Sequence, residues 1–151
     1  MSDDSIKIIA ANKKANFLYN LYEKFEAGIS LLGSEVKAIR ENKVNIKESY
    51  IQVKDFELYI IGMHIGEYSH SGYSTHKPLR ERKLLVHKKE VIKILKESQN
   101  TGKTVVPLKI YIKNGKIKVS FAIAKGKKIW DKRMAKKEKD IKRDTDRLIK
   151  E

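Results

Sequence analysis

The chain has 151 residues, with 34 Lys or Arg against 19 Asp or Glu and a formal net charge of +15, so an anionic partner is expected. It contains no cysteine, which excludes disulfide frameworks, thiolate metal sites and cysteine nucleophiles. With 40% hydrophobic and 35% charged residues it can build one modest core and has little apolar surface left for a second.

The first residues carry Asp3 and Asp4 where a secretory leader carries lysines. No apolar run approaches the roughly 20 residues that cross a bilayer. A soluble, cytosolic protein with no membrane association is expected.

Residues 1–124 read as a body of short strands with two helical patches, and residues 125–151 as a basic tail. Phe17 to Leu32 is strand-like, with Gly28 expected at a bulge. Ser34 is placed to cap a short helix with Val36 and Ile39 on one face. Tyr50 to Ile65 alternates between polar and apolar and reverses at Asp55-Phe56, the pattern of a hairpin. His87 to Ser98, with the apolar Val91, Ile92 and Leu95, predicts a helix with Glu90 in its first turn and Gly102 beyond its end. Val105–Ile112 and Ile117–Ala124 flank Asn114-Gly115, which tolerates the positive φ angles of a type I′ turn. Pro107 suggests an edge or first-strand position. Together these elements predict a mainly β fold with flanking helices: an antiparallel barrel of the oligonucleotide-binding (OB-like) type.

The tail holds twelve Lys or Arg against six Asp or Glu. On a helix of about 100° per residue, Lys132, Lys136, Lys139, Arg143, Arg147 and Lys150 share one side, and Trp130, Met134, Ile141 and Leu148 the other. So few apolar residues do not offset an ordering cost of about 1–2 kcal/mol per residue, so the free tail is expected to be disordered and to fold on a polyanion.

Catalytic patterns are weak. Thr101-Gly102-Lys103-Thr104 imitates the end of a phosphate-binding loop, but the required earlier glycine is absent and the order is helix to strand. His64, His70, His76 and His87 have no ligand spacing and read as ordinary surface or loop histidines. Glu23, Glu26, Glu35 and Glu48 are scattered, and no serine lies in a nucleophile turn. No enzyme, metal or cofactor is expected.

Basic residues interleaved with aromatics stand out instead: Asn12-Lys13-Lys14 with Phe17, Tyr19 and Tyr22, then Tyr68, Tyr73, His76, Lys77, Arg80, Arg82 and Lys83. Cations neutralise phosphates and rings stack on unpaired bases, which suits RNA better than duplex DNA, because no major-groove reading helix is apparent. A general RNA-binding or ribosomal protein, and a nuclease or RNA-modifying enzyme, are the competing classes.

Six blocks in order carry a specific resemblance. They are Asn12-Lys13-Lys14-Ala15, Phe25-Glu26-Ala27-Gly28-Ile29, Gly33-Ser34-Glu35-Val36-Lys37, Arg80-x-Arg82-Lys83-Leu84-Leu85-x-His87, Val106-Pro107-Leu108-Lys109, and Ala124-x-Gly126-Lys127-Lys128-x-x-Asp131-Lys132-Arg133. The chain resembles the SmpB (SsrA-binding protein) family over essentially its whole length. The resemblance implies a monomeric, non-enzymatic adaptor that binds the tRNA-like domain of transfer-messenger RNA and delivers it to stalled ribosomes. It also implies contact with small-subunit ribosomal RNA and, through the aminoacylated RNA, with elongation factor Tu. Asn12, Lys13 and Glu26 match positions implicated in RNA binding, and Lys14, Tyr19, Arg80, Arg82 and Lys83 are added from the basic and aromatic pattern. Lys125, Gly126, Lys127, Lys128, Asp131, Lys132 and Arg133 match the tail signature, implied to become helical in the empty messenger channel near the decoding centre. Trp130 occupies a variable slot, and Phe17 stands where some relatives carry histidine.

Overall fold

The structure is a computed structural model that describes residues 6–68, 76–99, 102–127 and Arg143. The described chain runs β1 (Ile6–Ala11), α1 (Ala15–Leu18), β2 (Tyr19–Ile29), α2 (Gly33–Arg40), β3 (Val44–Asn45), β4 (Tyr50–Lys54), β5 (Glu57–Ile61), β6 (His64–Ile65), β7 (Arg82–Leu85), α3 (Lys88–Ser98), β8 (Lys103–Lys113) and β9 (Lys116–Gly126).

Seven of the strands form one sheet in the order β1-β8-β4-β5-β7-β2-β9, and an extra β8–β9 pairing joins the last strand back to the second. All of its pairs are antiparallel. The result is a closed ring with β1 laid along β8, the barrel class expected from the sequence. Closure leaves little free strand edge, which limits edge-to-edge association.

Alternation along the strands supplies the core. Phe25 and Ala27 face inward from β2, Leu58 and Ile60 from β5, and Val119, Phe121 and Ile123 from β9. The rings of Phe25 and Phe121, which are register partners, stack with centroids 5.5 Å apart. Each fully buried side chain of this size contributes about 1.5–3 kcal/mol. Ala38 and Ile39 of α2 and Val91 and Ile94 of α3 bring the helices onto the same core.

Both tight hairpins form as expected. Asn114 and Gly115 turn with φ of 51° and 76°, and Asp55 and Phe56 with 49° and 61°. Other expectations are corrected. Phe17–Leu32 is not one strand, because Ala15–Leu18 forms a helical turn before β2. The register shift in β2 falls between Leu21 and Lys24, while Gly28 pairs in register with Leu85 and Lys118.

Ser34 does not cap α2. The Glu35 carboxylate accepts from Leu32 N–H at 2.8 Å, and Ser34 Oγ lies 2.8 Å from Nδ1 of His76. In α3 the inward residues are Val91 and Ile94, and Ile92 is exposed, because the helix turns its other face to the barrel. Pro107 is not on an edge strand: β8 pairs β4 at Val105 and β1 from Lys109 onward, and Pro107, which has no N–H to donate, falls in the gap between them. β9 extends through Gly126, past the body–tail boundary expected after Ala124.

Candidate nucleic-acid interface

Strand pairing places a residue without a side chain between two that project outward. Gly28 of β2 faces Leu85 of β7 on one side and Lys118 of β9 on the other. The Leu85 side chain lies over Gly28, its Cβ and Cδ1 3.5 Å from where a Cβ on Gly28 would stand, and two adjoining concavities, of about 720 Å³ and about 480 Å³, are both lined by Gly28, Leu85 and Lys118. Leu85 is 54% exposed although it sits in a strand, so it presents apolar surface to whatever enters.

The two halves differ in chemistry. Arg40 of α2, with Lys116 and Lys118 of β9, lines the smaller half, which has no carboxylate on its wall. The larger half is lined by Glu26, Asp55, Glu57 and Glu90 against Lys83, Lys88 and Lys118, with Phe56 at its hairpin rim. Phosphate oxygens therefore fit the first half, whereas groups that donate hydrogen bonds, such as base amino groups and ribose hydroxyls, fit the second.

Glu26 projects from the same face of β2 as Gly28. Its carboxylate accepts from the hydroxyl of Tyr111, and Lys113 Nζ lies 3.8 Å away. Burial, and then this bond to Glu26, push the Tyr111 hydroxyl well above the ordinary phenol range, so it stays protonated and remains a donor. Lys83 pairs with Glu57 at 2.8 Å and keeps 41% of its side chain exposed. This pairing, with a lesser bond from Tyr59, holds the Glu57 carboxyl below its ordinary range.

Arg82 is a correction. Its side chain is fully buried, donating from Nε to Glu35 at 2.7 Å and from Nη1 to the carbonyl of Met63 at 2.7 Å. The carbonyls of Pro78 and Lys77 accept as well, so nothing of its guanidinium reaches a surface ligand. Arg80 is also committed inward, with Nη2 2.6 Å from Glu35 Oε1, although 34% of its side chain remains exposed. Alternating Arg80 and Arg82 point to the same side of the chain, and that side faces α2.

Burial raises the Glu35 carboxyl, but bonds from Arg80, Leu32 N–H and Arg82 together outweigh it and leave Glu35 below its ordinary range. His76 is likewise no surface residue: it is buried, with Nε2 2.9 Å from the carbonyl of Ile65.

The remaining expected residues gather at a different place. Asn12 donates from Nδ2 to the carbonyl of Pro107 at 3.3 Å, and its backbone N–H bonds Leu108 O at 2.8 Å. Lys13 and Lys14 are exposed just before α1. Half-buried Tyr19 opens β2 opposite Gly126, with Lys125 beside it. Lys127 closes this corner, bonding Leu18 O through its N–H at 3.0 Å and Asn16 O through Nζ at 2.9 Å. Along β2, Tyr19 and Glu26 are about 20 Å apart at the usual strand rise. Lys128, Trp130, Asp131, Lys132 and Arg133, and the expected disorder and folding of the tail, lie outside the described residues.

Sequence reasoning missed Arg40, Lys116, Lys118 and Phe56, and noted Leu85 only within a motif. Part of the signal was available. Lys116 and Lys118 follow a hairpin turn at period two, and adjacent Leu84 and Leu85 cannot both face inward from one strand. Arg40 is brought in only by the packing of α2.

The chain resembles known proteins along nearly all of this architecture. It is 49% identical over 143 residues to the SsrA-binding protein of Staphylococcus haemolyticus, covering 95% of this chain and 92% of the relative. Against the SsrA-binding protein of Syntrophobacter fumaroxidans it is 46% identical over 147 residues, 97% and 91% of the two chains. A solved chain described under "tmRNA-SmpB: a journey to the center of the bacterial ribosome" superposes with a TM-score of 0.67 at 40% identity, covering 80% of this chain and 85% of that one. The family model described as SmpB protein matches residues 9–151, the barrel with its groove and the sequence beyond it, and the chain therefore belongs to the SmpB protein family.

Proposed function

We propose that this chain is a transfer-messenger RNA-binding adaptor of trans-translation. The groove across Gly28 binds the tRNA-like domain, and the tail enters the vacant messenger channel of the stalled ribosome near the decoding centre. The observation that carries this reading is the division of one groove into a cationic half around Arg40, Lys116 and Lys118 and a carboxylate half around Glu26. A groove built only to neutralise backbone charge would be basic throughout; one that also accepts hydrogen bonds suits a folded RNA with unpaired bases and free ribose edges.

The relatives are named for binding SsrA, and the similar solved chain for tmRNA and the bacterial ribosome, which supports the same reading. The protein acts in the cytoplasm without catalysis, and elongation factor Tu joins through the aminoacylated RNA. Among the described residues, no helix is long and apolar enough to cross a membrane.

The test is equilibrium binding of the tRNA-like domain and of a size-matched duplex RNA over a salt series. Wild-type protein should retain a preference for the tRNA-like domain as salt rises, because sequence-independent electrostatic binding weakens steeply. Lys118→Ala should flatten the log-affinity against log-salt slope by about one unit. Glu26→Gln, which keeps an acceptor for Tyr111, should weaken binding without lowering the melting temperature. Equal affinity for both RNAs at elevated salt would refute the proposal.

A further inference from the structure

Among the described residues, Phe56 is the one bulky hydrophobic residue with a positive φ; the other non-glycine residues that share it are Asn42, Asp55 and Asn114. Phe56 occupies the second central position of the β4–β5 turn, between the paired residues Lys54 and Glu57. Its φ is 61°, in the left-handed region where the Cβ of a bulky residue is crowded by the backbone. The β8–β9 turn has the same form and uses Gly115 at the equivalent position. One hairpin therefore follows the usual solution and the other keeps an aromatic ring there.

Packing does not explain the ring. Phe56 is 67% exposed, the most exposed large hydrophobic side chain among the described residues. It stands on the rim of the larger half of the groove, with Glu26, Lys83, Leu85 and Lys88 on the same wall. An exposed aromatic held in an unfavourable backbone conformation, beside a concavity, is the pattern expected of a contact residue.

We infer that Phe56 is a stacking platform for an unpaired base of the RNA in this groove, an inference that rests on the RNA-binding reading above. Charge identifies which part of the RNA arrives. Four carboxylates against three lysines line this half, and no carboxylate lines the smaller one, so a base or ribose suits it better than a phosphate does. A planar ring beside hydrogen-bond acceptors matches a nucleobase with an exocyclic amino group. Stacking is tolerant of sequence, so Phe56 contributes affinity at this position without dictating which base is bound.

The test compares Phe56→Gly, Phe56→Leu and Phe56→Trp in the full chain, with the tRNA-like domain of transfer-messenger RNA as probe over a salt series. Gly and Leu should lose about fivefold or more in affinity and Trp should hold it, since base–ring stacking is lost only in the first two. The salt slope should stay unchanged in all three, because no phosphate contact is removed. Phe56→Gly should melt no lower than wild type, since glycine suits the turn.

Wild-type affinity in the Gly and Leu variants would overturn the inference and hand the ring to some other partner, such as a protein. A loss of affinity tracked by a lower melting temperature would equally overturn it. If wild-type protein shows no preference for the tRNA-like domain over duplex RNA, the RNA reading itself falls and this inference with it. A preserved preference that is indifferent to Phe56 removes the inference alone.

Discussion

Replacing Glu35 with alanine should be among the most damaging single changes in the barrel. The Glu35 side chain is fully buried and accepts from Leu32 N–H at 2.8 Å, Arg80 at 2.6 and 3.2 Å, and Arg82 at 2.7 Å. Its removal leaves the Arg82 guanidinium fully buried without a counter-charge. Breaking a buried pair in this way costs about 3–5 kcal/mol, a large fraction of the roughly 5–15 kcal/mol that holds a domain folded.

Arg80→Ala should cost only about 1 kcal/mol, since 34% of that side chain is exposed and water screens its charge. Urea unfolding followed by far-ultraviolet circular dichroism reads both. The Glu35→Ala midpoint should fall at unchanged slope, with a melting temperature lower by about 10–20 °C. Converting Glu35 and Arg82 together to leucine and methionine should recover part of the loss and not all of it, because the carbonyls of Met63, Pro78 and Lys77 also lose their donor. A loss below about 1 kcal/mol for Glu35→Ala, or equal losses for Glu35→Ala and Arg80→Ala, would refute the reasoning.

Two further predictions concern pH and the tail. The Glu35 carboxyl is held below its ordinary value of 4.5, so its stabilisation is complete above that pH and is lost as pH falls through the lower folded value. Acid titration of the melting temperature should accordingly be shallower in Glu35→Gln than in wild type; parallel profiles would contradict this. Removing residues 128–151, which leaves the Lys127 bonds to Leu18 and Asn16 in place, should preserve binding to the tRNA-like domain and abolish tagging on stalled ribosomes. Equal loss of both activities would refute the division between groove and tail.

Glu35 also links stability to the candidate site. It ties α2, which carries Arg40, to Arg80 and to Arg82 of β7, which also carries Lys83 and Leu85, so one buried carboxylate links two elements that line the groove. Closing the site around an internal ion pair explains why Arg80 and Arg82, basic and near aromatics in the sequence, are largely withdrawn from the surface.

The sequence by itself determined the features that depend on local physics. Period-two alternation marked the strands, Asn114-Gly115 set one turn, Glu90 marked the start of α3, and the charge excess called for an anionic partner. The ordered motif blocks identified the family. Only the tertiary structure decided which charges are available. Lys83 and Arg82 are neighbours of like charge in one strand, yet opposite faces leave one half-exposed and bury the other against Glu35. The groove is equally non-local, since Gly28, Leu85 and Lys118 meet only because β2 lies between β7 and β9. Composition constrains total charge and apolar content, but long-range strand pairing determines which residues share a surface, and it is that shared surface that a ligand meets.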